Sequence, residues 1–196
     1  MRLFFSRFFV FLVLSLSIEA HAIEFDIWRT GMSLSEIVAV AQAKDIPLFA
    51  NKVITGSKGF DPRFLNDSFF KSSVFAYNTE LLGKRCQVRL MTTDEQPKWL
   101  YEIEVSFVGA KQDKGFYEEL LKLLTIKYGR PGTQRETIYL HKLWKPEPKG
   151  EVVLKWYAHP ILHYIDTDIK KMADTQRSYK YQDKKEGFIK KDADKF

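Results

Sequence analysis

The stretch Phe25 to Leu48, FDIWRTGMSLSEIVAVAQAKDIPL, constrains the chain most, because one continuous run specifies an extended entry, a turn at Gly31 and a capped amphipathic helix. Ser33 is placed as the cap: its hydroxyl can take the free backbone N–H three residues on, while Glu36 reaches back to the N–H of Ser33. Met32 and Ile37 stand where a hydrophobic staple would fix the entry angle. Leu34, Ile37, Val38 and Ala41 recur at the spacing of one helical face, and Pro47 forbids continuation beyond Ile46. Such a face needs a sheet to cover.

The sheet is written most clearly in the middle of the chain. Cys86, Val88 and Leu90 alternate with Gln87 and Arg89; after a turn at residues 93–97, Trp99, Tyr101, Ile103, Val105 and Phe107 alternate with Glu102, Glu104 and Ser106. A period of two with apolar and polar faces predicts an antiparallel hairpin covered on one side and wet on the other. Phe25 to Trp28 reads as an edge strand or an extended lead-in, and Val74 to Tyr77 as a strand before the hairpin. Thr137 to Leu143, Val152 to Ala158 and Ile161 to Asp166 follow as a meander. A second helix is expected from about Lys114 to Tyr128, capped by Asp113, with Phe116, Leu120, Leu123, Leu124 and Tyr128 on one face and Gly129 and Pro131 as its stop. A short helix over Pro62 to Phe70 fits Asp61 as its cap. The bulky residues from Phe60 to Phe75 either form core or line a pocket. No internal repeat is discernible. The expectation is an α+β fold: an antiparallel β-meander sheet of about five or six strands, two main helices packed on one face, and a basic C-terminal tail.

Met1 to Ala22 has the pattern of a signal peptide: Arg2 and Arg7, the apolar run from Phe8, then Ala20-His21-Ala22 as a cleavage site. Cleavage after Ala22 predicts a periplasmic protein of 174 residues with no transmembrane span, a single domain over 23–169 and a basic tail over 170–196 that is helical or disordered, Ile169, Met172, Ala173 and Gln176 keeping helical spacing for about two turns. Cys86 is the only cysteine, so packing rather than an intramolecular disulfide must hold the fold. From Lys170 to Phe196 there are nine Lys or Arg against five Asp or Glu, so the tail carries most of the formal net charge of +6.

Chemistry-bearing motifs are scarce. His159 and His163, with Asp166 and Asp168 beyond, are candidate metal ligands by residue type, but on a strand that spacing separates the rings by roughly 13 Å. His141 reads as a structural strand histidine and Cys86 as a small buried hydrophobe. Glu102 and Glu104 read as solvated carboxylates on the wet face. No G-x-S-x-G elbow or phosphate-cradling loop is present, so no catalytic residue and no cofactor are assigned. The binding candidates lie in the tail, where Arg177, Lys180, Lys184, Lys185, Lys190 and Lys191 interleave with Tyr179, Tyr181 and Phe188. That mixture suits anionic lipid or a protein partner in the cell envelope; nucleic acid is seldom met by an exported protein.

At Gly31-Met32-Ser33-Leu34-Ser35-Glu36-Ile37 the chain resembles the helix opening of the SmpA/OmlA group of small bacterial envelope proteins. The same helix-and-meander arrangement occurs in the β-lactamase inhibitory proteins. The resemblance covers Phe25 to Leu48 and the order of elements, and it implies an exported helix-on-sheet domain; the lipidation cysteine of the small lipoproteins is missing here, and the body is longer. Two functions follow as expectations: a non-enzymatic periplasmic binding or envelope-assembly module, or a hydrolase or metal-dependent enzyme using His159 to Asp168.

Overall fold

In a computed structural model, residues 22–50, 70–136, 139–146 and 150–193 are described. Most of the expected signal peptide, most of the Pro62 to Phe70 helix and the residues Thr137 and Ile138 lie outside them. The first described element is a small hairpin, β1 (Glu24–Phe25) and β2 (Trp28–Arg29), where an edge strand or an extended lead-in was expected. Ile23, the residue after the expected cleavage site, is buried. Its N–H donates to Thr30 Oγ1 at 3.0 Å, and its side chain fills the space a Cβ on Gly150 would need.

Helix α1 (Leu34–Ala43) starts as its sequence requires. Glu36 N–H donates to Ser33 Oγ at 3.3 Å and Ser33 N–H to Glu36 Oε2 at 2.7 Å, closing the reciprocal box. The helix ends three residues before Ile46. Asp45 takes a left-handed conformation (φ 51°), and the N–H of Ile46 returns to Ala41 O at 2.8 Å, the Schellman arrangement with Asp in place of the usual Gly. Helix α2 (Lys114–Tyr128) is capped by Asp113, whose Oδ1 accepts from Phe116 N–H at 3.0 Å. Phe116, Leu120 and Leu124 are buried. Leu123, expected on the same face, is exposed, because Tyr117, Leu121 and Tyr128 pack on the other flank of the buried stripe and turn Leu123 to its rim.

The main sheet has eight strands rather than five or six, in the order β3-β4-β5-β6-β10-β9-β8-β7, all neighbouring pairs antiparallel. They are β3 (Phe49–Ala50), β4 (Val74–Leu81), β5 (Lys84–Thr92), β6 (Leu100–Ser106), β7 (Gly132–Glu136), β8 (Tyr139–Trp144), β9 (Glu151–Trp156) and β10 (Pro160–Ile165). Two strands went unseen for physical reasons: β3 is only two residues long, and β7 is exposed along its whole length and so carries no alternation. Among the described elements, each of α1 and α2 is followed by a four-strand meander, and the two meanders meet at β6 and β10. The element order therefore repeats although the sequence does not.

Both helices cover one face, as expected. Leu34, Ile37 and Ala41 of α1 and Phe116, Leu120 and Leu124 of α2 share one core with Val88, Leu90, Ile103, Val105, Val152, Leu154, Leu162 and Tyr164. The basic tail, expected as helix or disorder, is largely a third helix, α3 (Thr167–Ala193), which starts two residues past β10. None of the described helices is long and apolar enough to cross a membrane.

Candidate functional site

Because side chains alternate along a strand, burying Val88, Val105 and Leu162 beneath the helices turns their neighbours to the other face. The register aligns Arg89 of β5 with Glu104 of β6, and Glu104 with His163 of β10. Glu102 lies two residues along β6. There the ladder shifts, since Met91 pairs with Glu102 and Thr92 with Leu100, leaving Tyr101 as the extra residue of a bulge.

These residues form two neighbouring hydrogen-bonded groups. His163 Nδ1 lies 2.8 Å from Glu102 Oε1, Lys170 Nζ donates to Glu102 Oε2 at 3.4 Å, and Arg89 Nη1 donates to Glu104 Oε1 at 3.1 Å. Glu102 and His163 are only 6% and 8% exposed. Burial drives the Glu102 carboxyl toward neutrality, but the His163 hydrogen bond and the Lys170 charge outweigh it and hold the carboxyl below its ordinary value. A buried charge persists because it is paired. One donor atom each from Glu102, Glu104 and His163 can be chosen so that all three lie within 4.8 Å of one another.

Helix α3 is fastened over the start of β6. Asp166 Oδ1 accepts from the N–H groups of Asp168 and Ile169, both at 3.0 Å, which caps the first turn. Ala173 is buried. Arg177 Nη2 donates to Tyr101 Oη at 2.8 Å, with its guanidinium 5.6 Å from the ring centre. Asp94 gathers the rest of the attachment: its N–H donates to Gln176 Oε1 at 3.2 Å, and its carboxylate lies 3.9 Å from Arg177 Nε and 3.7 Å from Lys180 Nζ. From Arg177 to Glu186 every side chain is exposed, Tyr179 at 64% and Tyr181 at 72%.

Of the four residues picked out as possible ligands, only His163 joins a donor set. His159 Nε2 lies 2.7 Å from Ser106 Oγ and ties the β9–β10 turn to the end of β6, Asp166 caps α3, and Asp168 is exposed in its first turn. Glu102, expected to be solvated, is instead buried beside His163. Its parity was legible, whereas the pairing of β6 with a strand 61 residues away was not. His141 is 1% exposed; its Nε2 sits 3.0 Å from Glu136 Oε2, yet the alignment is poor and neither ring nitrogen makes a hydrogen bond. Cys86 is a buried thiol pushed up to about 11 by burial, as an unreactive core cysteine is. In the tail, Arg177 and Lys180 are engaged with the body, and Tyr179, Tyr181, Lys184 and Lys185 face solvent. Lys190 and Lys191 continue the helix, with side chains outside the described set.

No protein-family model matches the chain, and no curated protein or solved structure matches it at a significant level.

Proposed function

We propose that this chain is a non-enzymatic binding or assembly module of the bacterial cell envelope that engages a protein partner through the outer half of α3. The observation that carries the proposal is the division of that helix. Its first turns are docked through Lys170, Ala173, Gln176, Arg177 and Lys180, while Tyr181 to Glu186 makes no described packing against the body. A 27-residue helix extends about 40 Å, so the outer half is an arm carried on an anchored base. Aromatic side chains held out in water are the kind of group that binding surfaces collect, since a large rigid ring buries much area for little lost rotamer freedom.

Charge decides between protein and lipid. With Lys170, Arg177 and Lys180 committed to Glu102 and Asp94, the segment Tyr181 to Ala193 keeps four lysines against Asp183, Glu186 and Asp192. Four lysines interleaved with three acids offer anionic headgroups a weak net attraction that salt screens further. A mixed-charge helix with outward tyrosines suits a protein surface better. The export segment ending at Ala22 and the resemblance at Gly31 to Ile37 support placing that partner in the periplasm.

A photo-crosslinker placed at Tyr181 in intact cells tests the reading, with another at Gln87 on the sheet as the comparison. A discrete adduct from Tyr181 alone supports it. An adduct from Gln87 alone moves the contact to the sheet face, and sedimentation of the protein with anionic vesicles at low salt, without any adduct, replaces the protein partner by lipid.

A further inference from the structure

Glu102, Glu104 and His163 have a property that the partner-binding reading does not use. Two carboxylates from one strand and an imidazole from its neighbour converge from one side, and their donor atoms can be chosen within 4.8 Å of one another. A tetrahedral ion with bonds of about 2.0–2.1 Å needs donors about 3.4 Å apart, so side-chain rotation of little more than 1 Å closes the set. This is no loose group of surface acids. Glu102 and His163 are more than nine-tenths buried, and their strands are fixed by the ladder His163↔Glu104 and Ile165↔Glu102.

The carboxylates are also held from behind. Lys170 takes Glu102 Oε2 and Arg89 takes Glu104 Oε1, so Glu102 Oε1 is turned to His163 and one oxygen of Glu104 stays outside its ion pair. Arg89, on one oxygen of Glu104, is the kind of partner that orients a ligating carboxylate in a metal site. The donor chemistry selects the ion: an imidazole beside two carboxylates suits zinc and its divalent transition-metal neighbours, whereas calcium and magnesium prefer oxygen alone. Three protein ligands leave a fourth position for water.

Charge adds a constraint particular to this chain. Glu102 and Glu104 are balanced by Lys170 and Arg89, so a dication leaves the cluster with an excess of two positive charges unless a cation withdraws. Lys170 is the one able to do so. Its contact is the longer, at 3.4 Å against 3.1 Å, and its flexible stem can carry the ammonium to water. We propose that Glu102, Glu104 and His163 form a binding site for a divalent transition-metal ion, zinc fitting best, and that the ion competes with Lys170 of α3 for Glu102.

The test is titration of metal-free mature protein with Zn²⁺ by calorimetry, and with Co²⁺ by its ligand-field absorption, in wild type and three variants. One ion should bind per chain with a tetrahedral Co²⁺ spectrum. Glu104→Gln and His163→Ala should each weaken binding at least about tenfold, and Lys170→Met should tighten it several-fold. Far-UV circular dichroism checks folding, and Glu104→Gln, which keeps the shape of a side chain 14% exposed, keeps the test open if His163→Ala does not fold. Absence of saturable binding by wild type overturns the proposal, as does affinity unchanged in Glu104→Gln. Binding weakened in Lys170→Met overturns the competition.

Discussion

Trp28 donates its indole N–H to the Tyr77 hydroxyl at 2.8 Å, joining the β1–β2 hairpin to β4 across 49 residues of chain. Both side chains are buried, and burial pushes the Tyr77 hydroxyl up to about 12, so it remains a neutral acceptor at every physiological pH. Tyr77→Phe would keep the ring and strand the indole N–H away from water, which costs about 1–3 kcal/mol. Urea unfolding followed by tryptophan fluorescence should show a lower midpoint with an unchanged slope. An unchanged midpoint would mean that water reaches the indole.

The α1 cap gives a graded pair. Ser33→Ala should cost about 1 kcal/mol, because it removes the acceptor for Glu36 N–H, and Glu36→Ala should cost less, since it opens only the return half of the box. The second loss depends on pH. Hydrogen bonds from the Ser33 backbone N–H, then from its hydroxyl, hold the Glu36 carboxyl below its ordinary 4.5. A carboxyl with a lower value folded than unfolded contributes fully above 4.5 and loses its contribution as pH falls through the folded value. Denaturant midpoints of wild type and Glu36→Ala should therefore differ at pH 7 and converge in acid.

His141 marks a stability cost inside the fold. Burial first, then the charge of Lys155, pushes its imidazole below the ordinary 6.5, and both ring nitrogens go without hydrogen bonds. The unfolded chain then binds the proton more readily, so stability is highest above 6.5 and declines as pH falls below it, until the folded imidazole protonates too. His141→Leu removes both the orphaned nitrogens and this proton linkage. It should raise stability by about 1 kcal/mol at pH 7.5, and by more at pH 5.5. Lower stability at both values would mean that the ring's packing against Tyr157 outweighs its unmet polarity.

The parts of this fold legible in the sequence are those settled within a few residues. Ser33 and Asp113 cap their helices through atoms three positions away, and the alternation from Cys86 to Leu90 and from Ile103 to Ser106 depends only on the pleat. What escaped notice is set by distant partners. The exposed β7 exists because β8 pairs with it, and the choice between helix and disorder past Gln176, open in the sequence, falls to helix where Asp94 and Tyr101 hold Arg177 and Lys180. Glu102 and His163 belong to strands whose adjacency skips α2 and three strands of the second meander. Parity alone placed Glu102 on the wet face without revealing what it would meet there.

That division within α3 yields the last prediction, for two truncations. Removing 181–196 takes away only the arm and the outer turns, so the thermal midpoint should hold and stability should change by no more than about 0.5 kcal/mol. Removing 170–196 strips Lys170 from buried Glu102, Arg177 from the Tyr101 hydroxyl and Ala173 from its pocket. Uncovering a buried carboxylate and losing a charge-assisted hydrogen bond should together cost on the order of 3 kcal/mol, enough to lower the midpoint by several degrees. Raised salt should narrow this difference only in part, because Lys170 and Arg177 are about two-fifths exposed whereas the Glu102 carboxylate that Lys170 leaves uncovered is buried. Equal midpoints for both truncated proteins would mean that α3 is not held to the sheet in solution. A fall on removing 181–196 alone would place the outer turns against the body and withdraw the arm from any partner.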